Sequence, residues 1–254
     1  MRQNWVMLRS KELSSVLVLL ALSACGSSST STASSTITQS PTTVDATSTT
    51  TTIIVTTTTA APTCAQGSVC QLGDVGPGGG VVFYVHPGGG TFACGPTLSL
   101  KCRYLEAAPS SGPSAWIDEK FIWSGTTKTS IGSSARAVAV GSGFKNTEAM
   151  IAQDATPNRA GTAARAYLGP KNLSDWYLPS KDELIALCSF SPKQETASAL
   201  FYKCISKNSD KTEGYWSSTE YSDETTWSRE ASLGSQATVI KNLDLRLRPI
   251  MSFG

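Results

Sequence analysis

Residues Ser174-Asp175-Trp176-Tyr177-Leu178-Pro179-Ser180-Lys181-Asp182-Glu183 form the stretch that decides the fold. Ser180 and, three residues later, Glu183 form a capping box, in which each side chain accepts a hydrogen bond from the backbone amide of the other residue. Pro179 marks the start of the helix, and apolar residues follow on one face: Leu184, Ile185, Leu187 and Cys188. The stretch predicts a helix that begins at Ser180.

Strand signals lie on both sides of this helix. Before it, two Pro-Gly-Gly-Gly turns at 77–80 and 87–90 bracket a β-rich run from Val81 to His86. The first of these turns leads into a strand rather than a helix, which argues against a phosphate-binding loop. After Gly214, the pattern predicts four short strands, at 215–219, 226–231, 236–241 and 245–250.

The segment between these groups of strands has a helical pattern. Residues 146–168 predict one interrupted helix or two short ones, because Pro157 and Gly161 break the pattern. Strands therefore come first, helices follow, and an antiparallel sheet comes last. This order predicts an α+β domain with two or three helices packed on antiparallel sheet.

The N-terminus has the features of a lipoprotein signal peptide. Basic residues precede an apolar run from Leu13 to Leu22, which suits export but is too short to span a membrane. The sequence Leu22-Ser23-Ala24-Cys25-Gly26 resembles the bacterial lipobox, which implies removal of residues 1–24 and diacylglycerol on Cys25. We expect a protein that is anchored in the cell membrane on its extracytoplasmic face. Ordinary secretory cleavage with an unmodified Cys25 is the alternative.

Residues 25–63 have the composition of a tether. The 38 residues from Gly26 to Thr63 include 8 Ser and 16 Thr, a single charged residue, Asp45, and no aromatic residue. Such a composition cannot bury a core. We expect a lipidated cysteine and a disordered linker, whose glycosylation the composition does not decide, followed by one folded domain over 64–254.

Six cysteines fall within the predicted domain: Cys64, Cys70, Cys94, Cys102, Cys188 and Cys204. An even number in an exported chain predicts three disulfides. The sequential pairs enclose short loops of 5, 7 and 15 residues, so we expect 64 to pair with 70, 94 with 102, and 188 with 204. A zinc site is the alternative, but the chain has no CxxC motif and one histidine, His86, and we expect no metal.

The charge of the mature chain is balanced. The 21 Lys and Arg and the 19 Asp and Glu include three basic residues and one acidic residue of the predicted signal peptide, and their removal leaves 18 of each sign. This balance gives no reason to expect nucleic acid as a partner. We expect no cofactor, and the sequence leaves the oligomeric state open.

The predicted domain resembles the C-terminal domain of the Legionella collagen-like protein, a bacterial domain family often found in exported proteins. The motifs that carry the resemblance are GPGGG leading into VVFY at 76–84, LEAAP at 105–109, SDWYLPS at 174–180, YWSSTE at 215–220 and RLRP at 246–249. Tyr177 stands where the family commonly has arginine. The Legionella collagen-like protein is an adhesin with collagen-like repeats. Such repeats are not found in this sequence, whose linker is rich in Ser and Thr.

The resemblance implies a fold and a function. The family is similar to C-type-lectin-like and formylglycine-generating-enzyme-like folds, in which a helix follows a Leu-Pro corner and packs on a terminal antiparallel sheet. The resemblance also implies binding of polysaccharide or glycosaminoglycan, so that, with the anchor predicted from the lipobox, we expect a surface-anchored adhesion domain. An extracellular protein is an alternative ligand. An enzyme on the formylglycine-generating-enzyme-like scaffold and a structural envelope component are the rival hypotheses.

The residues that could catalyse a reaction do not form the sequence motif of either a Ser/His/Asp hydrolase or a copper-dependent oxidase. A Ser/His/Asp hydrolase would need His86, and the sequence has no nucleophile-elbow motif. The formylglycine-generating enzymes use a paired-cysteine copper site, whereas Cys188 and Cys204 flank the end of a helix with no cysteine in the terminal strands. We therefore expect a non-catalytic binding domain.

The candidate ligand contacts lie near the end of the chain: Trp216, Ser217, Ser218, Glu220, Trp227, Arg246 and Arg248. An indole ring offers a sugar an apolar face and an N–H donor. For Trp216, as for Trp176, the alternative prediction is that the side chain is buried in the core. Arg246 and Arg248, on one face of a strand, are expected to bind a ligand carboxylate or sulfate, or else to pair internally with Glu220 or Asp175.

Overall fold

A computed structural model of the chain describes residues 63–190, 214–229 and 235–254. The described part contains three helices, α1 (Gly143–Gln153), α2 (Ala160–Ala166) and α3 (Lys181–Phe190). Its strands are β1 (Val81–Val85), β2 (Phe92–Cys94), β3 (Leu100–Cys102), β4 (Tyr104–Ala107), β5 (Lys120–Phe121), β6 (Tyr215–Glu220), β7 (Thr225–Arg229), β8 (Gln236–Ile240), β9 (Leu245–Arg246) and β10 (Ile250–Phe253). The α+β class predicted from the sequence is confirmed.

Residues 1–62 lie outside the described part. The predicted signal peptide, the lipidation site Cys25 and almost all of the predicted linker fall on them, so these remain predictions. Among the described residues, no helix has the length and apolar character needed to cross a membrane.

A three-stranded antiparallel sheet has the order β1-β4-β10. Its central strand, β4, is buried at every residue. Glu106 of β4 accepts hydrogen bonds from the backbone amides of Gly78 and Gly80, each at 2.8 Å. A Cβ on Gly80 would overlap the carbonyl oxygen of Ala107, so the turn before β1 requires glycine where it passes directly against β4. The strand β1 was predicted between two glycine turns and is confirmed.

The C-terminal sheet has five strands in the order β5-β9-β6-β7-β8. Its pairs are antiparallel except for β6 and β9, which are parallel at Tyr215 and Arg246, a departure from the antiparallel sheet predicted. The prediction of a single strand at 245–250 is wrong, because the chain leaves the five-stranded sheet after β9 and enters the three-stranded sheet as β10. Between them, Pro249 has no amide hydrogen to donate and the side chain of Arg248 turns inward to Asp118.

The helices follow the sequence signals closely. α1 and α2 confirm two short helices between the groups of strands, with Pro157 in the connection between them. The predicted capping box of α3 is present: Ser180 N donates to Glu183 Oε2 at 2.7 Å, and Glu183 N donates to Ser180 Oγ at 3.3 Å. The buried Leu184 and Leu187 of α3 pack in the main apolar core.

Glu183 makes two further contacts inside the protein. Its Oε1 accepts hydrogen bonds from Gly141 N at 2.8 Å and from the Tyr177 hydroxyl at 3.1 Å, and the side chain is fully buried. Tyr177 in turn pairs with Ile250 of β10 through backbone hydrogen bonds in both directions, each 2.9 Å long. One carboxylate therefore joins the start of α3, the loop before α1 and the segment beside β10.

Two of the three predicted disulfides lie wholly within the described residues and are confirmed. They are Cys64–Cys70 and Cys94–Cys102. The second joins the last residue of β2 to the last residue of β3, two strands that pair antiparallel. Cys188 is itself disulfide-bonded. Its predicted partner, Cys204, lies outside the described residues.

Gly141→Ala tests how tightly the loop before α1 is packed. Gly141 has a φ of +95°, and a Cβ there would overlap the carbonyl oxygen of Ala93. Gly112 also has a φ of +95°, but nothing lies within 4 Å of a Cβ there. We expect Gly112→Ala to lower the free energy of unfolding by about 1–2 kcal/mol through backbone strain. Gly141→Ala should cost about 1–3 kcal/mol more through overpacking. Equal losses in urea unfolding would contradict this account.

Two of the buried carboxyl groups, those of Glu106 and Glu183, predict a dependence of stability on pH. Burial raises the pKa of both Glu106 and Glu183 from 4.5 to about 7, although the backbone amides that donate to them oppose the shift. An acid whose pKa is higher in the folded state binds more protons when the protein is folded. The resulting stabilisation is complete below pH 4.5 and is lost as the pH rises through about 7.

We therefore expect the Tm of the wild-type protein to fall as the pH rises from about 5 to about 8. In Glu106→Gln and in Glu183→Gln this fall in Tm should be smaller, because an amide does not titrate. Each substitution removes one of the two groups that cause the fall, and so about half of it. Differential scanning calorimetry across this pH range measures the slope. A wild-type Tm that rises with pH would show that both acids are ionised throughout.

Candidate functional site

Four of the predicted ligand contacts lie on β6, and the structure places all four in the interior. Trp216, Ser217 and Ser218 are 0% exposed and Glu220 is 1% exposed. β6 is the central strand of its sheet, and both α1 and α3 pack against it. Trp216 Nε1 donates to the carbonyl oxygen of Phe121 at 2.7 Å. The burial of Trp216 confirms its alternative role in the core, which the fully buried Trp176 shares. Ser217, Ser218 and Glu220 were predicted to contact a ligand, and their burial corrects that prediction.

Glu220 is the centre of a buried polar cluster. Its carboxylate accepts hydrogen bonds from Lys241 Nζ, Ser130 Oγ and the backbone amides of Ile131 and Gly132, at 2.7–2.8 Å. The side chains of Glu220 and Lys241 are both 0% exposed. Burial alone would raise the pKa of Glu220, but the hydrogen bonds from these donors outweigh it and lower the pKa below its ordinary value. Glu220 is therefore an ionised anchor for the loop at 130–132.

The two candidate arginines differ in burial: Arg248 is buried and Arg246 is only partly buried. Arg248 is 3% exposed, and its Nη2 forms an ion pair with Asp118 Oδ2 at 2.7 Å. An internal ion pair was the alternative prediction for Arg248, but its partner is Asp118 rather than Glu220 or Asp175. Arg246 is partly buried and lies in register with Tyr215 on one side and Lys120 on the other.

Trp227 differs from the other predicted contacts because it lies at the surface. It is partly exposed at the middle of β7, and the ring of Tyr221, 54% exposed, meets it edge-on with 5.3 Å between ring centroids. The ammonium group of Lys181, the first residue of α3, lies 3.9 Å from the centroid of the Trp227 ring. This distance is typical of a cation–π contact.

Polar residues on β7 and β8 continue this surface. Trp227 is directly opposite Thr238, and Arg229 is directly opposite Gln236. Trp227 and Arg229 are two residues apart in a strand and so point to the same face of the sheet. The Gln236 side-chain amide also donates to the carbonyl oxygen of Lys181 at 3.5 Å. We call this surface the Trp227 patch: Tyr221, Trp227, Arg229, Lys181, Gln236 and Thr238.

Sequence reasoning found Trp227 but missed the rest of the patch. The alternation of Thr225, Trp227 and Arg229 along one strand could have indicated that Arg229 lies beside Trp227. Lys181 carried no such signal, because its contact with Trp227 depends on how α3 packs against a strand more than 40 residues later in the chain.

Two open clefts lie elsewhere, beside the Cys64–Cys70 disulfide. One, of about 370 Å³, is lined by residues that include Val69, Arg103 and Tyr104, and the other, of about 630 Å³, by residues that include Cys64 and Val75. Neither contains a residue of the Trp227 patch. Within the described residues, no cluster of His, Cys, Asp and Glu has the arrangement needed to hold a metal ion.

No protein-family model matches the chain, and a search of curated proteins finds no significant match. The function must therefore be inferred from the geometry of the patch and from the sequence motifs.

Glu220→Gln tests the structural role of the buried cluster. The substitution leaves the buried Lys241 without a counter-charge, so we expect it to lower the free energy of unfolding by about 3–5 kcal/mol. The double variant Glu220→Gln/Lys241→Met removes both charges and should recover part of this loss. Urea unfolding measures all three proteins. A loss below about 1 kcal/mol for Glu220→Gln would mean that the ion pair does not anchor the loop.

Proposed function

We propose that the protein is a surface lipoprotein, anchored by diacylglycerol on Cys25, whose domain at 64–254 binds polysaccharide through the Trp227 patch without catalysing a reaction. The observation that carries this proposal is the pairing of the exposed Tyr221 with the partly exposed Trp227 beside the ammonium group of Lys181. Aromatic faces pack against the C–H faces of sugar rings, and neighbouring polar groups bond their hydroxyls.

The polar part of the patch suits a sugar. Gln236 offers an amide with both donor and acceptor atoms, and Thr238, which is exposed, offers a hydroxyl. Both lie on β8 opposite residues of β7, so the sheet holds them at fixed distances from Trp227. A binding surface of this kind is shallow and needs no deep pocket, which fits an extended polymer better than a small substrate.

The domain fold we propose is C-type-lectin-like or formylglycine-generating-enzyme-like, in line with the motifs shared with the Legionella collagen-like C-terminal domain. In support, α3 follows the Leu178-Pro179 corner, and Ser218 N donates to the carbonyl oxygen of Pro179 at 2.7 Å. This bond ties the corner to β6 of the C-terminal sheet.

Binding is favoured over the rival enzyme hypothesis by the positions of the candidate catalytic groups. The rival needs convergent polar groups in a pocket near Trp216 or Arg246, whereas Trp216 is fully buried and donates its N–H to a backbone oxygen. Glu220 is ionised, so it has no proton to donate as a general acid, and its fully buried pairing with Lys241 keeps it away from a substrate.

The anchor and the linker complete the proposal. Each buried methylene contributes about 0.8 kcal/mol to membrane binding, so two or three acyl chains on Cys25 hold a protein essentially permanently. The linker would then carry the binding domain outward from the membrane surface.

Trp227→Ala in the full-length protein tests the binding site. We expect binding to a polysaccharide array, and we expect Trp227→Ala to abolish it because the sugar loses the largest apolar surface of the patch. Ile117→Ala is the matched control, since Ile117 is a large apolar residue, 72% exposed, outside the patch. An array without signal for folded wild-type protein, or equal binding by the Trp227 variant, would refute the proposed site.

The anchor has a separate test. Mass spectrometry of the protein from the membranes of its native host should show a mature N-terminus at Cys25 with a diacylglycerol thioether. Cys25→Ser should release the protein from the membrane fraction. An unmodified Cys25 in membrane-bound protein would refute lipid anchoring but would leave the polysaccharide site untouched.

A further inference from the structure

The strand β8 is the edge of the five-stranded sheet, with no strand of the described residues on its outer side. The other edges of the two larger sheets are short or covered. β5, at the opposite edge of the five-stranded sheet, has two residues and begins with a lysine. In the three-stranded sheet, Gly73 and Asp74 bond the backbone of Val82 on the outer side of β1. Tyr177 bonds Ile250 of β10 in the same way.

β8 lacks the features by which proteins usually protect an edge strand. A charged side chain, a proline or a bulge at an edge discourages pairing with another chain. The five residues of β8, Gln236–Ile240, include no charge and no proline, and each is in regular register with a residue of β7. Thr238 is exposed, and Ile240 is an apolar residue that is 54% exposed. This edge is therefore open to a further strand.

Every second residue of β8 turns its backbone groups away from β7. In an antiparallel pair, hydrogen-bonded and non-hydrogen-bonded residues alternate along the strand. Lys241 N, directly after β8, donates to the carbonyl oxygen of Glu224 at 3.1 Å, which makes this a hydrogen-bonded position of the ladder. The alternation therefore leaves the N–H and C=O groups of Gln236, Thr238 and Ile240 on the outer side of the sheet.

A second copy of β8 matches this edge when it runs antiparallel. With the twofold axis at Thr238, Gln236 lies opposite Ile240 of the other copy, and Ala237 lies opposite its Val239, so the whole strand is paired. The residues with outward backbone groups then face each other and form the hydrogen-bonded pairs. One strand supplies both sides of the contact, which is the requirement for a closed twofold interface.

The charges beside β8 favour the antiparallel orientation. At one end of the strand are two cations, because Arg229 is opposite Gln236, and the Gln236 side chain donates to the carbonyl oxygen of Lys181. At the other end are two exposed acids, Asp223 and Glu224, in the turn before β7. An antiparallel second copy brings the cations of each molecule toward the acids of the other, whereas a parallel copy would bring like charges together.

We infer that the protein forms a twofold dimer in which the β8 strands of two copies pair antiparallel and join their C-terminal sheets. Residues directly opposite each other point to the same face of a sheet, so both Trp227 patches lie on one face of the joined sheet. Trp227 is opposite Thr238 in each copy. The two Trp227 positions are then three strand spacings apart, or about 14–15 Å.

The dimer goes beyond the proposed function, because the pairing of β8 does not depend on what the Trp227 patch binds. Its consequence for that patch is an extension, since the second copy contributes an equal surface beside the first. The contact between two short strands is smaller than the roughly 1,200 Å² of a standard interface. We therefore expect a dissociation constant of roughly 1–100 μM in solution.

Sedimentation equilibrium tests the dimer on the full-length protein carrying Cys25→Ser, which cannot be lipidated. We expect a reversible equilibrium between monomer and dimer. Ile240→Lys should weaken the dimer at least about tenfold, because it places a charge on the paired edge. Ile117→Lys is the matched control: Ile117 is 72% exposed and precedes β5 at the opposite edge of the sheet. It should change the dissociation constant less than about twofold.

Thr238→Cys tests the register of the two strands. In a hydrogen-bonded antiparallel pair, the opposite Cα atoms are about 5.5 Å apart, which suits a disulfide. We expect Thr238→Cys to give a covalent dimer under mild oxidation. Ser111→Cys places a thiol at another exposed hydroxyl residue, outside β8, and should remain monomeric.

The outcomes decide the inference without reference to polysaccharide binding. Monomer alone at about 500 μM overturns the dimer, since that is above the expected dissociation constants. Equal weakening by Ile240→Lys and Ile117→Lys, or equal cross-linking of the two cysteine variants, overturns the β8 interface. Where Ile240→Lys does not fold, as thermal unfolding shows, the cross-link at Thr238 decides. Loss of polysaccharide binding in Trp227→Ala with an intact dimer supports both proposals.

Discussion

Glu183 accepts hydrogen bonds from three residues that belong to different parts of the fold: Ser180 at the start of α3, Gly141 in the loop before α1, and Tyr177, which pairs with β10. Each donor is buried, so a side chain without an acceptor here would leave unpaired polar groups in the interior. The same carboxylate is therefore both the cap of a helix and the link between the helices and the three-stranded sheet. The rest of the described structure is arranged around this junction.

The position of Lys181 follows from this junction. Lys181 is the first residue of α3, and the capping box fixes the direction in which the helix begins. Its backbone amide donates to Thr219 Oγ1 of β6 at 3.0 Å, which fixes the start of the helix on the C-terminal sheet. The side chain of Lys181 then reaches the Trp227 ring on the neighbouring strand. An interior hydrogen-bond network thus positions a surface cation.

The local features of the fold could be predicted from the sequence, and the features that depend on distant contacts could not. The start of α3 and the pairs Cys64–Cys70 and Cys94–Cys102 depend on residues close together in the chain, and all were predicted. The division of 245–250 between two sheets was missed, because an alternating pattern does not indicate which sheet a strand joins. Glu220 was taken for a ligand contact because its partners, Lys241 and the amides at 131–132, lie far from it in sequence.

The buried acids of this protein have hydrogen-bond donors around them, whereas two of its surface cations have no counter-charge among the described residues. Glu106, Glu183 and Glu220 each accept hydrogen bonds from at least two backbone amides, so the fold supplies these three buried carboxylates with donors. Lys181 and Arg229, at the edge of the same framework, have no such partners among the described residues. Among the described residues, the three buried glutamates are supplied with donors, whereas Lys181 and Arg229 lie beside the Trp227 ring without counter-charges, and this contrast supports the binding surface proposed at the Trp227 patch.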